Sequence, residues 1–432
     1  MLKALKETRE HTKSYYAATA NWKTNYPAVE GNISVDVCVV GAGFTGVSSA
    51  LFLAERGYKV ALVEANRIGW GESGRNGGQV IGGIGHDATK FKRWIGDEGV
   101  RAIREMGIEC VEVIRERVEK YNIDCGLTWG LCEVALKERH VRDFIEAKED
   151  EEANGYPHRL RLLSAEEVRG LIHSDLYCGG LLNENGGGQV HSLNLCIGEA
   201  RAAEKLGTRI FEQSRVEKIV YGQRPKVITE RGSIQADHVV LCGSGYQENL
   251  VPRLARRVLP AASFLIATEP LGDRAQKIMA RPLAACDPRT ALDYFRLSAD
   301  NRLIFGGMSN YTGLAPTNIT RTMQQKMLKV FPQLKGVKIE HTWGGQMGIG
   351  LNRMPQLGRL KGDNVYYVQA YSGHGVAPSH IMGKLVAEVI GGQSERFDVF
   401  SKIKHLPFPG GRVLGRPAFA LGMLYYRLKD LL

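Results

Sequence analysis

A glycine-rich turn near the start of the chain has the residue types needed to hold a phosphate. Gly41, Gly43 and Gly46 follow the short β-branched run VDVCVV and open the apolar stretch VSSALFLAERG. Gly41 permits a tight turn, Gly43 lets a pyrophosphate approach the backbone, and Gly46 allows close helix packing. The phosphate would lie on the helix N-terminus beside Phe44 and Thr45. This spacing predicts a dinucleotide site.

An acidic residue completes the signature. Glu64, followed by Ala65, ends the second predicted strand, KVALVEA, 18 residues after Gly46 (64 − 46). A carboxylate at this position accepts hydrogen bonds from ribose hydroxyls and repels a 2′-phosphate. We interpret Glu64 and Ala65 as nucleotide-binding residues, the alternative being a surface acid at a strand end. FAD and NAD are both compatible with this turn.

A second glycine-rich segment, IGWGESGRNGGQV at residues 68–80, combines little bulk with many polar groups. Such a backbone can lie flat against a large ligand, whereas a merely flexible loop needs fewer donors. The predicted ligand contacts are Ser73, Arg75, Asn76, Gly77, Gly78 and Gln79.

The elements around these motifs indicate a mixed α/β fold. VDVCVV, the helix that Gly57 ends and KVALVEA form a strand, helix and strand unit, and apolar spacing predicts a further helix over 97–122. Later strand-like segments include ALDYFRLSADNRLIFGG, which predicts a hairpin outside the nucleotide-binding sheet. We expect a Rossmann-like domain with a second, mainly antiparallel substrate domain, and residues 1–34 as an irregular arm.

Composition narrows the class of protein. The chain has 432 residues, 44% of them hydrophobic, without an 18-residue apolar run or a signal-peptide core, so we expect a cytoplasmic globular protein. The eight cysteines are scattered, which predicts buried thiols and no metal site. The net charge of +11 is dispersed, without interleaved aromatics, so we expect no nucleic-acid partner. The apolar spacing of residues 417–432 favours docking on the chain's own domain over membrane contact.

Taken together, GAGFTG, Glu64 and GESGRNGG resemble the D-amino-acid oxidase class of FAD proteins, which includes glycine and sarcosine oxidases. YSGHGVAPSHIMGKLVAEVI, at residues 371–390, is similar to the C-terminal motif of that class. The resemblance implies that Gly373, His374, Gly375 and Val376 lie beside the isoalloxazine and that Val216 and Gly243 also contact FAD. A helix N-terminus there would stabilise the negative charge of reduced flavin.

Longer blocks resemble the gamma-glutamylputrescine oxidoreductase branch of the class: SYYAATAN (14–21), GGGQVHSLNLCIGEA (186–200), LDYFRLSADNRLIFGG (292–307) and FPQLKGVKIEHTW (331–343). The resemblance implies FAD-dependent oxidation of a primary amine on a gamma-glutamylated substrate, with hydride transfer to flavin and hydrolysis of the imine to aldehyde and ammonia. O2 or another acceptor would reoxidise the flavin. The alternatives are an oxidase or dehydrogenase of glycine, sarcosine or proline, and a flavin-bearing tRNA-modifying protein.

Two departures from the sarcosine oxidases matter. Ala377 stands where those enzymes hold the substrate carboxylate with a lysine, and residues 341–356 contain no cysteine to tether the flavin. The resemblance therefore implies noncovalent FAD and disfavours a small amino-acid substrate.

Candidate residues for the chemistry follow from the need to position the substrate carbon and exclude water. Tyr294, Trp343 and Tyr371 are expected to form an aromatic wall. Arg296, which alternates with Tyr294 on one strand face, could bind the glutamyl carboxylate or form a surface salt bridge. His374 and His191 could act at the substrate, or serve as capping and structural histidines.

The predicted domains are discontinuous. We assign residues 35–95, 192–260 and 338–405 to the FAD-binding domain and residues 96–191 and 261–337 to the substrate domain. Residues 406–432 form a C-terminal extension. The oligomeric state stays open.

Overall fold

A computed structural model describes residues 8–85, 87–247, 250–290, 292–310, 318–360, 362 and 364–410. For residues 308–310 it describes the backbone alone. The segment 417–432, for which the sequence predicts docking on the chain's own domain, lies outside the described residues. We number strands and helices along the chain.

The first sheet has eight strands among the described residues, in the order β16-β17-β10-β1-β2-β7, with β9 pairing on β10 and β8 on β9. Its central strands β17, β10, β1, β2 and β7 are parallel. The strands are β1 (Gly31–Val40), β2 (Val60–Val63), β7 (Arg209–Phe211), β8 (Val216–Val220), β9 (Lys226–Thr229), β10 (Gly232–Leu241), β16 (Gln356–Arg359) and β17 (Val365–Gln369).

The second sheet has nine strands in the described part of the chain, in the order β15-β11-β14-β13-β12-β4-β6-β3, with β5 pairing on β6. Its pairings are antiparallel except that of β12 with β4. The strands are β3 (Gln79–Ile81), β4 (Thr128–Ala135), β5 (Leu160–Ser164), β6 (Gly179–Gln189), β11 (Val258–Thr268), β12 (Ala284–Cys286), β13 (Tyr294–Leu297), β14 (Leu303–Asn310) and β15 (Ile339–Gly350).

The described helices connect these sheets and cover their faces. They are α1 (Tyr15–Ala18), α2 (Phe44–Glu55), α3 (Lys92–Tyr121), α4 (Glu138–Ala153), α5 (Ala165–Leu171), α6 (Ser192–Lys205), α7 (Pro252–Ala255), α8 (Ile319–Val330), α9 (Val376–Ile390) and α10 (Glu395–Ser401). No helix in the described ranges is long and apolar enough to cross a membrane.

The predicted nucleotide-binding unit is present as β1, α2 and β2. The side chains of β2 are all buried, as expected for a parallel strand covered on both faces. Gly57, just after the end of α2, has a φ of +82°, a left-handed conformation that ends helices and favours glycine. The predicted hairpin is also present, since β13 and β14 pair antiparallel in the second sheet. The mixed α/β fold with a second, mainly antiparallel sheet is therefore confirmed.

Four elements depart from the predicted domain ranges. β11, a strand of the second sheet, begins at Val258 although the substrate domain is predicted to resume at residue 261. β3 and β15 belong to the second sheet although they lie in ranges assigned to the FAD-binding domain. α3 begins in one assigned range, continues into the other, and packs its buried residues into the same core as α2 and α9. The domain boundaries themselves stay a prediction.

The described part of the N-terminal arm is irregular apart from the short helix α1 and the first residues of β1. Ser14 caps α1, and Tyr15 and Tyr16 are buried in the main core. The reason is tertiary, because the core that receives these rings comes from distant segments. Tyr16 packs edge-to-face on Trp343 at a ring-centre distance of 5.7 Å, and β1 begins already at Gly31.

Candidate active site

A cavity of about 1550 Å³ lies between the two sheets. One side is formed by residues that follow parallel strands of the first sheet: Gly41 after β1, Glu64 after β2, and Cys242 and Gly243 after β10. The carboxyl ends of parallel strands meet at one edge, where α/β proteins bind their ligands. The other side is a face of the second sheet, which contributes Leu131, Glu133, Ser263, Leu265, Cys286 and Tyr294.

The glycine turn is held in the conformation that its spacing predicts. Gly41 has a φ of +100°, and its N–H donates to the Val63 carbonyl at 2.8 Å. A Cβ on Gly46 would lie 1.8 Å from the Gly41 carbonyl oxygen, so a side chain there would force α2 away from the turn. Gly41, Gly43, Phe44 and Thr45 line the cavity, whereas Gly46 is not among its lining residues.

Glu64 points its carboxylate across the turn. One oxygen accepts from the Ala42 N–H at 2.8 Å and the other from the Asn66 N–H at 2.9 Å. Burial raises the pKa of Glu64, while these backbone N–H groups act in the opposite direction. Ala65 and Val216 line the cavity nearby, as does Gly243. This arrangement fits the ribose of a dinucleotide, since each carboxylate oxygen can accept further hydrogen bonds.

The glycine-rich loop forms part of the cavity wall. Ser73, Asn76, Gly77 and Gln79 line it, and the Ser73 Oγ accepts from the Phe44 N–H at 2.9 Å. The predicted ligand contacts of Arg75 and Gly78 are not supported. The Arg75 guanidinium is buried on the far side of the loop, 4.3 Å from the Trp70 ring centre, and its Nε donates to the Trp70 carbonyl.

The residues before α9 form another part of the wall. Gly373, His374, Gly375 and Val376 line the cavity at the N-terminus of this 15-residue helix. His374 Nε2 lies 2.9 Å from the Gly82 carbonyl oxygen and 3.1 Å from that of Gly83. Both partners are acceptors, so Nε2 carries the proton, and burial lowers the pKa of His374. The neutral ring therefore helps to hold this turn against residues 82–83.

Two of the predicted aromatic residues face the cavity. The Tyr371 hydroxyl lies 2.6 Å from the Thr45 Oγ1, and burial raises its pKa, so it stays protonated. Tyr294 lies against Gly77 and Gly306, where any Cβ would be within 2.5 Å of its ring, and its hydroxyl is 3.3 Å from the Ser263 Oγ.

Arg296 does not line the cavity, although it shares a strand with Tyr294. It is only 4% exposed, and two of its guanidinium nitrogens donate to groups within the protein. Nε donates to the Gly77 carbonyl at 2.8 Å, and Nη2 donates to the Val190 carbonyl and to the Tyr16 hydroxyl, both at 2.9 Å. This position contradicts the expected contact with a substrate carboxylate, because the glycine loop covers the guanidinium.

Trp343 and His191 are likewise behind the loop, outside the cavity lining. The Trp343 indole N–H donates to the Arg75 carbonyl at 2.8 Å. The His191 Nδ1 accepts from the Asn194 N–H and so caps α6, while its Nε2 lies 3.1 Å from the Thr19 Oγ1. The expected aromatic wall from Trp343 and substrate contact from His191 are therefore wrong for this structure, and the structural alternative for His191 is the one observed.

Two acidic side chains on the cavity wall were missed by the sequence reasoning. Glu72 stands inside the GESGRNGG segment, and Glu133 is on β4 beside Cys286 of β12. Burial raises the pKa of Glu72 to about 7 and also raises that of Glu133. For Glu133 the sequence does carry a signal, because it is the acid in the otherwise apolar strand segment LCEVAL. That signal alone does not show whether the side chain faces a cavity or the solvent.

FAD fits the residues present. The turn, the Glu64 carboxylate and the N-termini of α2 and α9 offer partners for pyrophosphate, ribose and flavin in one continuous space. Two cysteines, Cys242 and Cys286, line this space; burial raises the pKa of Cys242 to about 12 and raises that of Cys286. They are thus neutral thiols, and the noncovalent binding of FAD stays a prediction.

Comparisons with known proteins agree with this geometry. Residues 36–389 match the family model described as FAD dependent oxidoreductase. The chain is 44% identical to gamma-glutamylputrescine oxidoreductase of Escherichia coli, over 98% of this chain and 99% of that protein. It is 37% identical to the probable oxidoreductase OrdL of Haemophilus influenzae, over 98% of each chain.

Among solved structures, the glycine oxidase of Geobacillus kaustophilus superposes with a TM-score of 0.71 at 19% identity, covering 87% of this chain and all of that one. This likeness establishes the fold. From the family match over most of its length and from relatives that align end to end, the chain belongs to the FAD-dependent oxidoreductase family and is a flavoenzyme.

Proposed function

We propose that this enzyme oxidises the primary amine of a gamma-glutamylated amine, such as gamma-glutamylputrescine, with noncovalently bound FAD. The observation that carries the proposal is the 44% identity, over essentially both whole chains, with an enzyme named for that substrate. Because the two proteins align over their whole lengths, the substrate in that enzyme's name is the first one to test. Ala377, which stands where the sarcosine oxidases have a lysine, is buried in the core and does not line the cavity, so it offers a small amino acid no carboxylate contact.

The chemistry that FAD supplies when bound is acceptance of a hydride from the carbon that carries the amine. The resulting imine would be hydrolysed to an aldehyde and ammonia, and O2 is the proposed final acceptor, giving H2O2. The chain's own residues bind and orient the reactants. The N–H groups at the start of α9 would face developing negative charge, and Tyr294 and Tyr371 would exclude water from the reacting carbon.

Anaerobic mixing of the purified yellow protein with candidate substrates tests the proposal. Gamma-glutamylputrescine should bleach the flavin absorbance rapidly, putrescine slowly, and glycine, sarcosine and proline not at all. Air should then restore the colour with formation of H2O2. The Gly46→Val variant, whose Cβ would lie 1.8 Å from the Gly41 carbonyl oxygen, should lose FAD and serves as the flavin-free control. Bleaching by the amino acids alone would establish the alternative substrate class instead.

A further inference from the structure

Glu72 is a fixed carboxyl group on the wall of the cavity. Its backbone carbonyl accepts from the N–H groups of Arg75 and Asn76, both at 3.0 Å, so the short 3-10 helix Glu72–Gly74 cannot easily turn. Its Oε1 is buried and has no hydrogen-bond partner within the described residues. This oxygen packs against Gly345, so any ligand in the cavity meets the rest of the Glu72 side chain, which lines the wall. A buried carboxylate that lacks a donor on one oxygen is costly, and a cation on its other side would offset that cost.

Glu72 and its neighbour Ser73 point in opposite directions. Ser73 bonds to the N-terminus of α2, on the side of the glycine turn. Glu72 instead reaches the second sheet, where a Cβ on Gly345 of β15 would lie 1.7 Å from Oε1. Glu72 also lies near Tyr294 of β13. Burial raises the pKa of the Tyr294 hydroxyl, and the negative charge of Glu72 raises it further. Glu72 therefore lies on the side of the second sheet, away from the glycine turn that Ser73 contacts.

Among the residues that the structure describes, none forms an ion pair with the Glu72 carboxylate. Burial raises the pKa of Glu72, and the charge of Arg75 in the same loop lowers it by a smaller amount. The Arg75 guanidinium lies over the Trp70 ring. From β13 the facing group is the neutral Tyr294 hydroxyl, and from β15 it is Gly345. Two other acids of the cavity wall are paired, Asp87 with Lys90 and Asp287 with Arg289. On the second-sheet side, Glu72 and Glu133 are the acids without an ion pair in the described part of the chain, and only Glu72 of these two has a buried oxygen that lacks a hydrogen-bond partner.

We propose that Glu72 binds the ammonium group of the amine substrate and accepts its proton before oxidation. An N–H bond of the ammonium breaks and an O–H bond forms on the carboxylate, so the step needs no further reactant. The nitrogen is then neutral, and its lone pair can stabilise the positive charge that develops as the adjacent carbon loses hydride. This inference rests on the proposed function, because it assumes an amine substrate.

Binding of a substrate analogue that cannot be oxidised tests the role without relying on turnover. In the analogue, two methyl groups replace the hydrogens on the carbon that bears the primary amine of gamma-glutamylputrescine. Titration of the holoenzyme, followed by the visible flavin spectrum from pH 5.5 to 8.5, gives Kd at each pH. Wild-type binding should weaken as the pH falls below about 7, because protons then compete with the ammonium for the carboxylate.

Glu72→Gln should raise Kd roughly tenfold to a hundredfold at pH 8 and remove the pH dependence below 7. Glu133→Gln removes the other unpaired acid of the same wall and should keep the wild-type pH dependence. Gly345→Ala is a second test that leaves every charge in place: its Cβ should displace the Glu72 carboxylate and weaken binding in the same direction. The FAD content of each variant, read from absorbance, shows that the cavity is intact.

The two proposals fail differently. If gamma-glutamylputrescine does not bleach the wild-type flavin, the proposed substrate is wrong. If it does, and flavin-loaded Glu72→Gln and Gly345→Ala match wild type in Kd and pH profile, only the role of Glu72 is overturned. An equal loss of pH dependence in Glu133→Gln would also overturn it, since the effect would then be a general one of cavity charge.

Discussion

Replacing Arg296 should damage the cofactor site and stability without changing substrate selectivity. In Arg296→Met three buried acceptors, the Gly77 and Val190 carbonyls and the Tyr16 hydroxyl, lose donors at 2.8 to 2.9 Å. An unsatisfied buried acceptor costs about 1–3 kcal/mol, and neighbouring losses do not add fully, so the free energy of unfolding should fall by about 3–5 kcal/mol. The loop at residues 75–79 should then hold FAD less tightly.

Urea unfolding of Arg296→Met and Arg296→Lys measures the change in the free energy of unfolding. Titration of each apoprotein with FAD measures the change in Kd for the cofactor. Lysine keeps a charge but cannot reproduce the planar fork, so its effects should be intermediate. Arg169→Met is the matched control, because Arg169 is half-exposed and forms an ion pair with the exposed Asp175. Its unfolding free energy should change by less than about 1 kcal/mol.

The ratio of KM for gamma-glutamylputrescine to KM for putrescine decides between the two roles of Arg296. A guanidinium that only supports the loop leaves this ratio unchanged, since both substrates meet the same loop. A selective rise of KM for the glutamylated substrate, with unchanged stability and FAD content, would refute the structural role and restore the carboxylate contact.

Three further predictions follow from the same contacts. Trp343→Phe should lose the bond to the Arg75 carbonyl and about 1 kcal/mol of stability, measured by urea unfolding, and release FAD faster, whereas Trp94→Phe should not affect FAD. Glu64→Gln should raise the Kd for FAD roughly tenfold to a hundredfold, measured by apoprotein titration; equal affinity to the exposed control Glu30→Gln would refute the ribose contact. Burial lowers the pKa of His191 to about 3, so the folded state binds fewer protons than the unfolded state between pH 3 and 6.5. From pH 7 to pH 5 wild type should therefore lose about 2 kcal/mol more unfolding free energy than His191→Asn, which keeps the cap; parallel pH curves would contradict this.

The parts of the fold that the sequence predicts correctly are those set by neighbouring residues. The β1, α2 and β2 unit, the left-handed Gly57 and the hairpin of β13 and β14 each depend on a continuous stretch of chain. Local rules of burial, turn geometry and register are enough there. The same holds for the cavity residues of the glycine turn and of the turn before α9, which are consecutive along the chain.

The errors arise where a distant segment decides what covers a side chain. Alternation places Arg296 and Tyr294 on one face of β13, and both do share that face. Alternation does not show what covers each side chain. Gly78 of the glycine-rich loop packs directly on Arg296, since a Cβ there would lie 2.7 Å from Nη2, and the loop separates the guanidinium from the cavity. The burial of Tyr16 is not predicted for the same reason, because four helical residues carry no periodic signal and the ring packs against a distant segment.

These contacts explain why a loop so rich in glycine can still present fixed ligand contacts. Glycine lowers the bulk of residues 71–78 but raises the entropy lost on ordering them. Hydrogen bonds from distant segments offset this cost. Trp343 donates to the Arg75 carbonyl, and Arg296 donates both to the Gly77 carbonyl and to the Tyr16 hydroxyl. With the backbone held there, Ser73 is free to face the glycine turn and Glu72 the opposite sheet. One short loop can therefore order both the cofactor side and the substrate side of the cavity, and changes behind it should alter both together.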